Sequence, residues 1–241
     1  MRSKSAGEFT ILDMATPVGP VEIKVPKNCY LTKRAQNPRN ESGGLPIHPD
    51  YGYEPTFVRE LDNKLSRETI FYDIGSSYGF FIEVAKICGV DSQNIHAFQG
   101  GDPSGQTLQL LSKNHPKINL NQQFVGTGDS MIKLKNYVFE YDTPDIIKID
   151  TEGAEFDILR SVGNMSELTA DLYVEVHPLL MDASDSVSKM VHFIESGGYS
   201  IEWADHRSPN ANWKTFEKEY PKPSEMITNS SGPYMIKCEK L

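Results

Sequence analysis

From about residue 70 onward the chain alternates short apolar runs with stretches of helical periodicity, and no other feature restricts its fold as much. The strand-like runs fall at 70–74, 94–98, 122–126, 145–149, 171–176, 199–203 and 233–238. Between them, Phe81, Val84, Ala85 and Cys88 share one helical face, as do Val187, Met190, Val191 and Ile194. Leu108 with Leu111, and Ala154 with Ile158 and Val162, repeat the pattern. Strands that alternate with helices pair in parallel through right-handed crossovers. The expected fold is α/β, with a seven-stranded, mostly parallel sheet. Upstream, residues 9–25 read as a β-hairpin turning at Val18-Gly19-Pro20. Residues 32–52 are polar and rich in Gly and Pro, and 55–65 read as a helix with Val58, Leu61 and Leu65 inward. The expected division is an N-terminal extension, 1–54, packed on a main domain, 55–241.

A chain of 241 residues with 38% hydrophobic content can bury one sizeable core. Its net charge is −9 and no basic stripe is present, which argues against nucleic acid and anionic membrane as partners. No run of 18 apolar residues exists, and MRSKSAGEFT lacks the apolar core of a signal peptide. The expected location is cytoplasmic, with no membrane span. Cys29, Cys88 and Cys238 are odd in number and widely spaced, so they fit neither a zinc pattern nor a disulfide framework. Nothing in the sequence fixes the oligomeric state, and a homodimer is compatible with it.

Residues 71–79, FYDIGSSYG, carry the first chemical signal. An apolar strand meets Asp73, and Gly75 and Gly79 follow before an apolar helix. Such a strand–turn–helix brings bare backbone amides against a ligand. The spacing is GxxxG rather than the GxGxxG of dinucleotide binders, and the acid two positions before the first glycine suits a cationic amino-acid group. S-adenosylmethionine carries one. Glycines after a strand are also common turn residues, so this motif alone decides little.

The later strand ends add acids. After the second strand, Gln99 and Asp102 compete for the ribose hydroxyls, and Asp102, which has the charge, is favoured, although Asp102 or Ser104 would equally serve as a helix N-cap. The third strand ends in Gly126, Gly128 and Asp129, where this type of fold contacts adenine. The fourth ends in Asp150, with Glu152, Gly153 and Glu155 behind it and Lys148 inside the apolar run. First-turn acids account for Glu152 and Glu155 but not for Asp150 or Lys148. The fifth strand, DLYVEVHP, puts Glu175 and His177 on one side, beside Asp150. His177 is the candidate general base there, unless it merely caps the strand before Pro178. These three ligand types permit a divalent metal, yet nothing in their spacing demands one, and no metal is expected.

With DIGSSYG, DP at 102–103, DIIKIDTEGAE and VEVHP in this order, the chain resembles the FkbM family of S-adenosylmethionine-dependent methyltransferases over roughly residues 50–203. The stretch YEPTFVRELDNKL is similar to the family's opening helix, and KIDTEGAE is the most specific element. The resemblance implies a Rossmann-like class I methyltransferase sheet with helices on both faces, and S-adenosylmethionine as cofactor. It further implies O-methylation of a hydroxyl on a sugar, glycan or secondary metabolite. By motif, Asp73, Gly75, Ser76, Tyr78 and Gly79 would hold the methionine part of the donor, Asp102 the ribose, and Asp150, Glu152 and Glu155 would organise the active site. FQGGDP departs from the family's Phe-Glu-Pro and leaves the ribose contact between Asp102 and Gln99.

A hydroxyl acceptor must lose its proton, and His177 or Asp150 is expected to accept it, with Glu175 orienting the imidazole and raising its pKa. Two rivals remain: a non-catalytic protein of the same fold that binds a nucleoside ligand or a partner, and a nicotinamide-dependent oxidoreductase, which the missing GxGxxG disfavours. The acceptor pocket is expected from 26–55 and 204–232, whose aromatics (Tyr51, Tyr53, Trp203, Trp213, Phe216, Tyr220) suit a sugar or ring.

Overall fold

The structure is a computed structural model that describes residues 2–6, 9–27, 29, 31–32, 54–101, 105–206, 222–229 and 233–241. Among the described residues, ten strands form two sheets. The first, β1 (Arg2–Ala6), β2 (Phe9–Thr16) and β3 (Gly19–Pro26), is antiparallel. The expected hairpin is β2–β3, and β1 adds a third strand to it. The second sheet runs β6 (Asn119–Asn121), β5 (Ile95–Phe98), β4 (Phe71–Ile74), β7 (Ile146–Ile149), β8 (Asp171–Val176), β10 (Tyr234–Lys240), β9 (Tyr199–His206). All its pairings are parallel except those of β10, which runs antiparallel to both neighbours. The seven-stranded, mostly parallel α/β sheet is thus as expected.

Residues of successive strand positions enter two different cores, as the pleat requires. Tyr72, Ile147, Ile149, Leu172 and Val174 pack with α4 (Leu134–Glu140), α5 (Glu155–Arg160), α6 (Val187–Ser196) and α7 (Pro223–Thr228). Phe71, Ile146 and Tyr173 pack on the other face with α1 (Pro55–Lys64) and α2 (Phe80–Ile87). Leu111 of α3 (Gln106–Asn114) joins this second core, as do Leu12, Val21, Ile23 and Val25 of the N-terminal sheet. α1 is tied to the large sheet by Lys64, which pairs with Asp171 and Glu239.

One strand lies elsewhere than expected. The third parallel strand is Asn119–Asn121, not 122–126. Gln99 N–H already donates to Asn121 O at 3.0 Å, which ends the pairing there. Phe124 and Val125 instead close a loop on Ile132, with Gly126 N–H donating to Ile132 O at 3.0 Å and Ile132 N–H to Phe124 O at 2.8 Å. Local apolar content misled because this strand is a half-buried edge strand of alternating Asn and Leu. No helix among the described residues is long and apolar enough to cross a membrane.

Candidate active site

The turn after β4 is built to approach β7. Gly75 has φ +81°, and a Cβ there would lie 1.8 Å from the Asp150 carbonyl oxygen, so no other residue fits. Gly75 and Ser76 N–H both donate to Phe98 O, and Ser76 Oγ donates to Asp73 O at 2.7 Å. Ser77, in the left-handed region at φ 47°, donates its N–H to Gln99 Oε1 at 2.7 Å.

Beside the turn lies a cavity of about 380 Å3. Its walls include Ile74, Gly75 and Ser77 from the turn, Phe98 to Gly101 after β5, Gln123 to Val125, and Asp150 to Glu152 after β7. Ala154 and Ile158 close one apolar side. Phe124 is 57% exposed, with its ring against Gly100 and Gly101. Glu152 adopts φ 53°, a second strained residue on this wall. A larger open groove of about 750 Å3 along α4 shares no lining residue with this cavity.

Several expected cofactor residues sit behind the wall rather than in it. Asp73 is fully buried and faces Lys148, whose Nζ lies 3.0 Å from Asp73 Oδ1, 3.7 Å from Asp150 Oδ2, and donates to Gly75 O at 3.0 Å. Burial opposes the charge on Lys148, but Asp73 and Asp150 outweigh it and hold the amine above its ordinary pKa. Asp73, Ser76 and Gly79 do not line this cavity, and Gly79 N–H donates to Ser76 O at 2.8 Å within the turn. Tyr78 borders a separate cavity beneath β2 and β3, with Glu83 and His115. Gly128 and exposed Asp129 lie beyond the lining, in a loop held where Thr127 donates to Asp157 through its N–H at 3.0 Å and its Oγ1 at 2.6 Å. Gln99 lines the cavity, though its amide is engaged by Ser77 N–H and donates to Gly100 O. Asp102 lies outside the described residues, as do Tyr51, Tyr53, Trp213, Phe216 and Tyr220. Phe124 escaped the sequence reading; a lone aromatic in the polar stretch NQQFVGTGD was its signal.

Asp150, Glu175 and His177 do come together. Asp150 keeps 24% side-chain exposure, while Glu175 and His177 are buried. His177 Nε2 lies 3.4 Å from Glu175 Oε1, and Nδ1–H donates to Glu155 Oε1 at 3.0 Å. Glu155 is fully buried and also accepts from Gly153 N–H at 2.9 Å and Thr151 N–H at 3.3 Å. The residue that orients the imidazole is Glu155. Burial alone would lower the His177 pKa; the hydrogen bond and charge of Glu155, then Asp150 and Glu152, reverse this and leave it raised.

The profile of the methyltransferase FkbM domain matches residues 40–201, well over half of the chain. No curated protein matches the chain. Solved structures that resemble it include precorrin-6y C5,15-methyltransferase from Geobacter metallireducens, 18% identical, covering 78% of this chain and 90% of that one at TM-score 0.45. Sp1610 of Streptococcus pneumoniae, solved with S-adenosyl-L-methionine, is 12% identical over 77% of this chain and 73% of that one at TM-score 0.43. A NADB-Rossmann superfamily protein from Streptococcus agalactiae is 12% identical over 76% and 68% at TM-score 0.44.

Proposed function

The chain belongs to the FkbM methyltransferase family, and we propose that it transfers a methyl group from S-adenosylmethionine to a hydroxyl oxygen on a sugar, glycan or secondary metabolite. The observation that carries this reading is the cavity at the joined ends of β4, β5 and β7, with its glycine turn, its exposed aromatic face and its acidic rim. Phe124 offers a stacking face for a purine. Ala154 and Ile158 suit an apolar ring or chain, and Asp150 and Glu152 suit a positively charged donor.

When bound, the donor supplies an activated methyl group on a cationic sulfur. The protein then has to hold the acceptor oxygen in line with that group, about 3 Å away. Asp150 lies between the cavity and the Glu175–His177 pair, so the group of Asp150, Glu175 and His177 is assigned to the acceptor hydroxyl and its proton.

Calorimetric titration with S-adenosylmethionine and S-adenosylhomocysteine tests the donor half of the proposal. Binding that weakens in Phe124→Ala is expected, and no binding to the intact protein would sink the reading. Transfer of a labelled methyl group to hydroxylated acceptors but not to their deoxy analogues tests the second half.

A further inference from the structure

Asp150, Glu175 and His177 come from the ends of two neighbouring strands, and donor binding alone gives no reason for Glu175 and His177 to converge. One oxygen from each carboxylate and one ring nitrogen lie within 4.8 Å of one another. Two ligands of a single ion can be no farther apart than twice a bond length, roughly 4.0–4.4 Å for an ion of the zinc kind and about 5 Å for calcium, so a closing of a few tenths of an ångström at most brings the three atoms onto one ion. The spacing therefore fits a shared ion.

A second observation concerns the imidazole. Glu155, locked by the amides of Gly153 and Thr151, accepts a hydrogen bond from Nδ1–H at 3.0 Å. In the neutral ring, that leaves Nε2 with its lone pair toward Glu175 Oε1, 3.4 Å away in a buried setting. Two electron-rich atoms facing each other there repel unless a cation lies between them. A histidine whose far nitrogen is held by a carboxylate is also the arrangement that orients metal-ligating imidazoles. Lys148 offsets Asp73 at 3.0 Å and part of the charge of Asp150 at 3.7 Å, both at the β4–β7 side of the group.

We infer that Asp150, Glu175 and His177 bind a divalent cation that accepts both carboxylate and imidazole, of the Mn2+ or Zn2+ kind. Its role, though not its binding, rests on the methyltransferase reading. The acceptor O–H bond breaks with its proton passing to solvent, and the oxygen is held on the ion. That oxygen forms the bond to the methyl carbon as the C–S bond breaks, its electron pair staying on sulfur. His177 is then a ligand and not the proton acceptor.

The test uses the full chain after chelator treatment, titrated with Mn2+ alone and followed by electron paramagnetic resonance, with S-adenosylhomocysteine binding measured separately by calorimetry. One bound ion per chain with a nitrogen coupling in the pulsed spectrum is expected. Glu175→Gln and His177→Gln should each weaken Mn2+ by roughly tenfold or more while S-adenosylhomocysteine affinity stays unchanged. Failure to retain Mn2+ or Zn2+ at about 1 mM would overturn the inference and leave a proton as the cation between Nε2 and Glu175. So would a bound ion without nitrogen coupling that is indifferent to both substitutions. S-adenosylhomocysteine binding without any ion removes this inference alone; ion binding without S-adenosylhomocysteine binding supports it and removes the donor reading instead.

Discussion

Lys148 sits inside an apolar strand at 2% exposure, and such an ammonium persists only where carboxylates meet it. Asp73 does so at 3.0 Å. Lys148→Met leaves Asp73 buried and uncompensated, and urea unfolding should report a loss of about 3–5 kcal/mol. The double variant Lys148→Met with Asp73→Leu should regain much of it, because two apolar groups replace the pair. Phe124→Ala should weaken S-adenosylhomocysteine by about 1–3 kcal/mol, the usual worth of one base stacked on an aromatic ring, without lowering the melting temperature of this half-exposed position. Asp157 gives the chain an acid-sensitive contact. Burial raises its pKa, but the hydrogen bonds from Thr127, then Arg160, outweigh this and hold it below the ordinary value. A lowered carboxyl pKa stabilises the fold above the unfolded value of about 3.9 and ceases to as pH falls through the folded one. Thr127→Val should therefore cost stability at neutral pH and progressively less as pH falls through the folded value, which flattens the acid limb of the stability profile. At this scale Lys148 was legible as an anomaly. Its partner was not, since the carboxylate lies 75 positions earlier and only the β4–β7 pairing brings the two together. Glu155 is a first-turn acid, as the sequence suggests, and the resemblance also gives it a part in organising the site; its bond to His177, 22 positions on, needed the fold.

Elements built on a continuous apolar run were readable, and those built on backbone closure were not. β4, β7 and β8 follow runs of buried residues, so their positions and parallel pairing emerge from periodicity. β6 does not, because its three half-buried residues carry no run and its limits are set by the loop that Ile132 closes. The glycine turn after β4 was legible as a turn. That its chief constraint is the carbonyl of Asp150 needed the fold. Gly75→Ala would place a methyl group 1.8 Å from that oxygen at φ +81°. The expected outcome is loss of S-adenosylhomocysteine binding by calorimetry together with a lower melting temperature, since the turn cannot relax without moving β7. The loop after β7 has a similar fitting at Gly153, where a Cβ would meet Leu180 O at 2.2 Å, so the segments after β7 and β8 are shaped against each other.

Across the whole molecule, the N-terminal sheet shares its core with α1, α2 and one face of the large sheet. Leu12 is fully buried there, and Leu12→Ala should cost about 2–5 kcal/mol. Denaturant unfolding followed by both near- and far-ultraviolet dichroism should show one shifted transition; an early separate phase would mean that the extension unfolds independently. The same core contains Phe81, whose ring lies 5.0 Å from Lys148 Nζ, so packing from the extension reaches the ion pair behind the cofactor cavity. That pair has a further consequence for assembly. In the β4–β7 pairing Asp73 stands directly opposite Lys148, within four-residue strands that are otherwise Ile, Phe and Tyr. Greasy strands this short would align almost as well when slipped, and a slip by one position would turn the lysine to the other face of the sheet, away from its carboxylate. Opposite charges at one rung thus act as a alignment key for the central pair of strands, discriminating against misthreaded sheets before any ligand is present.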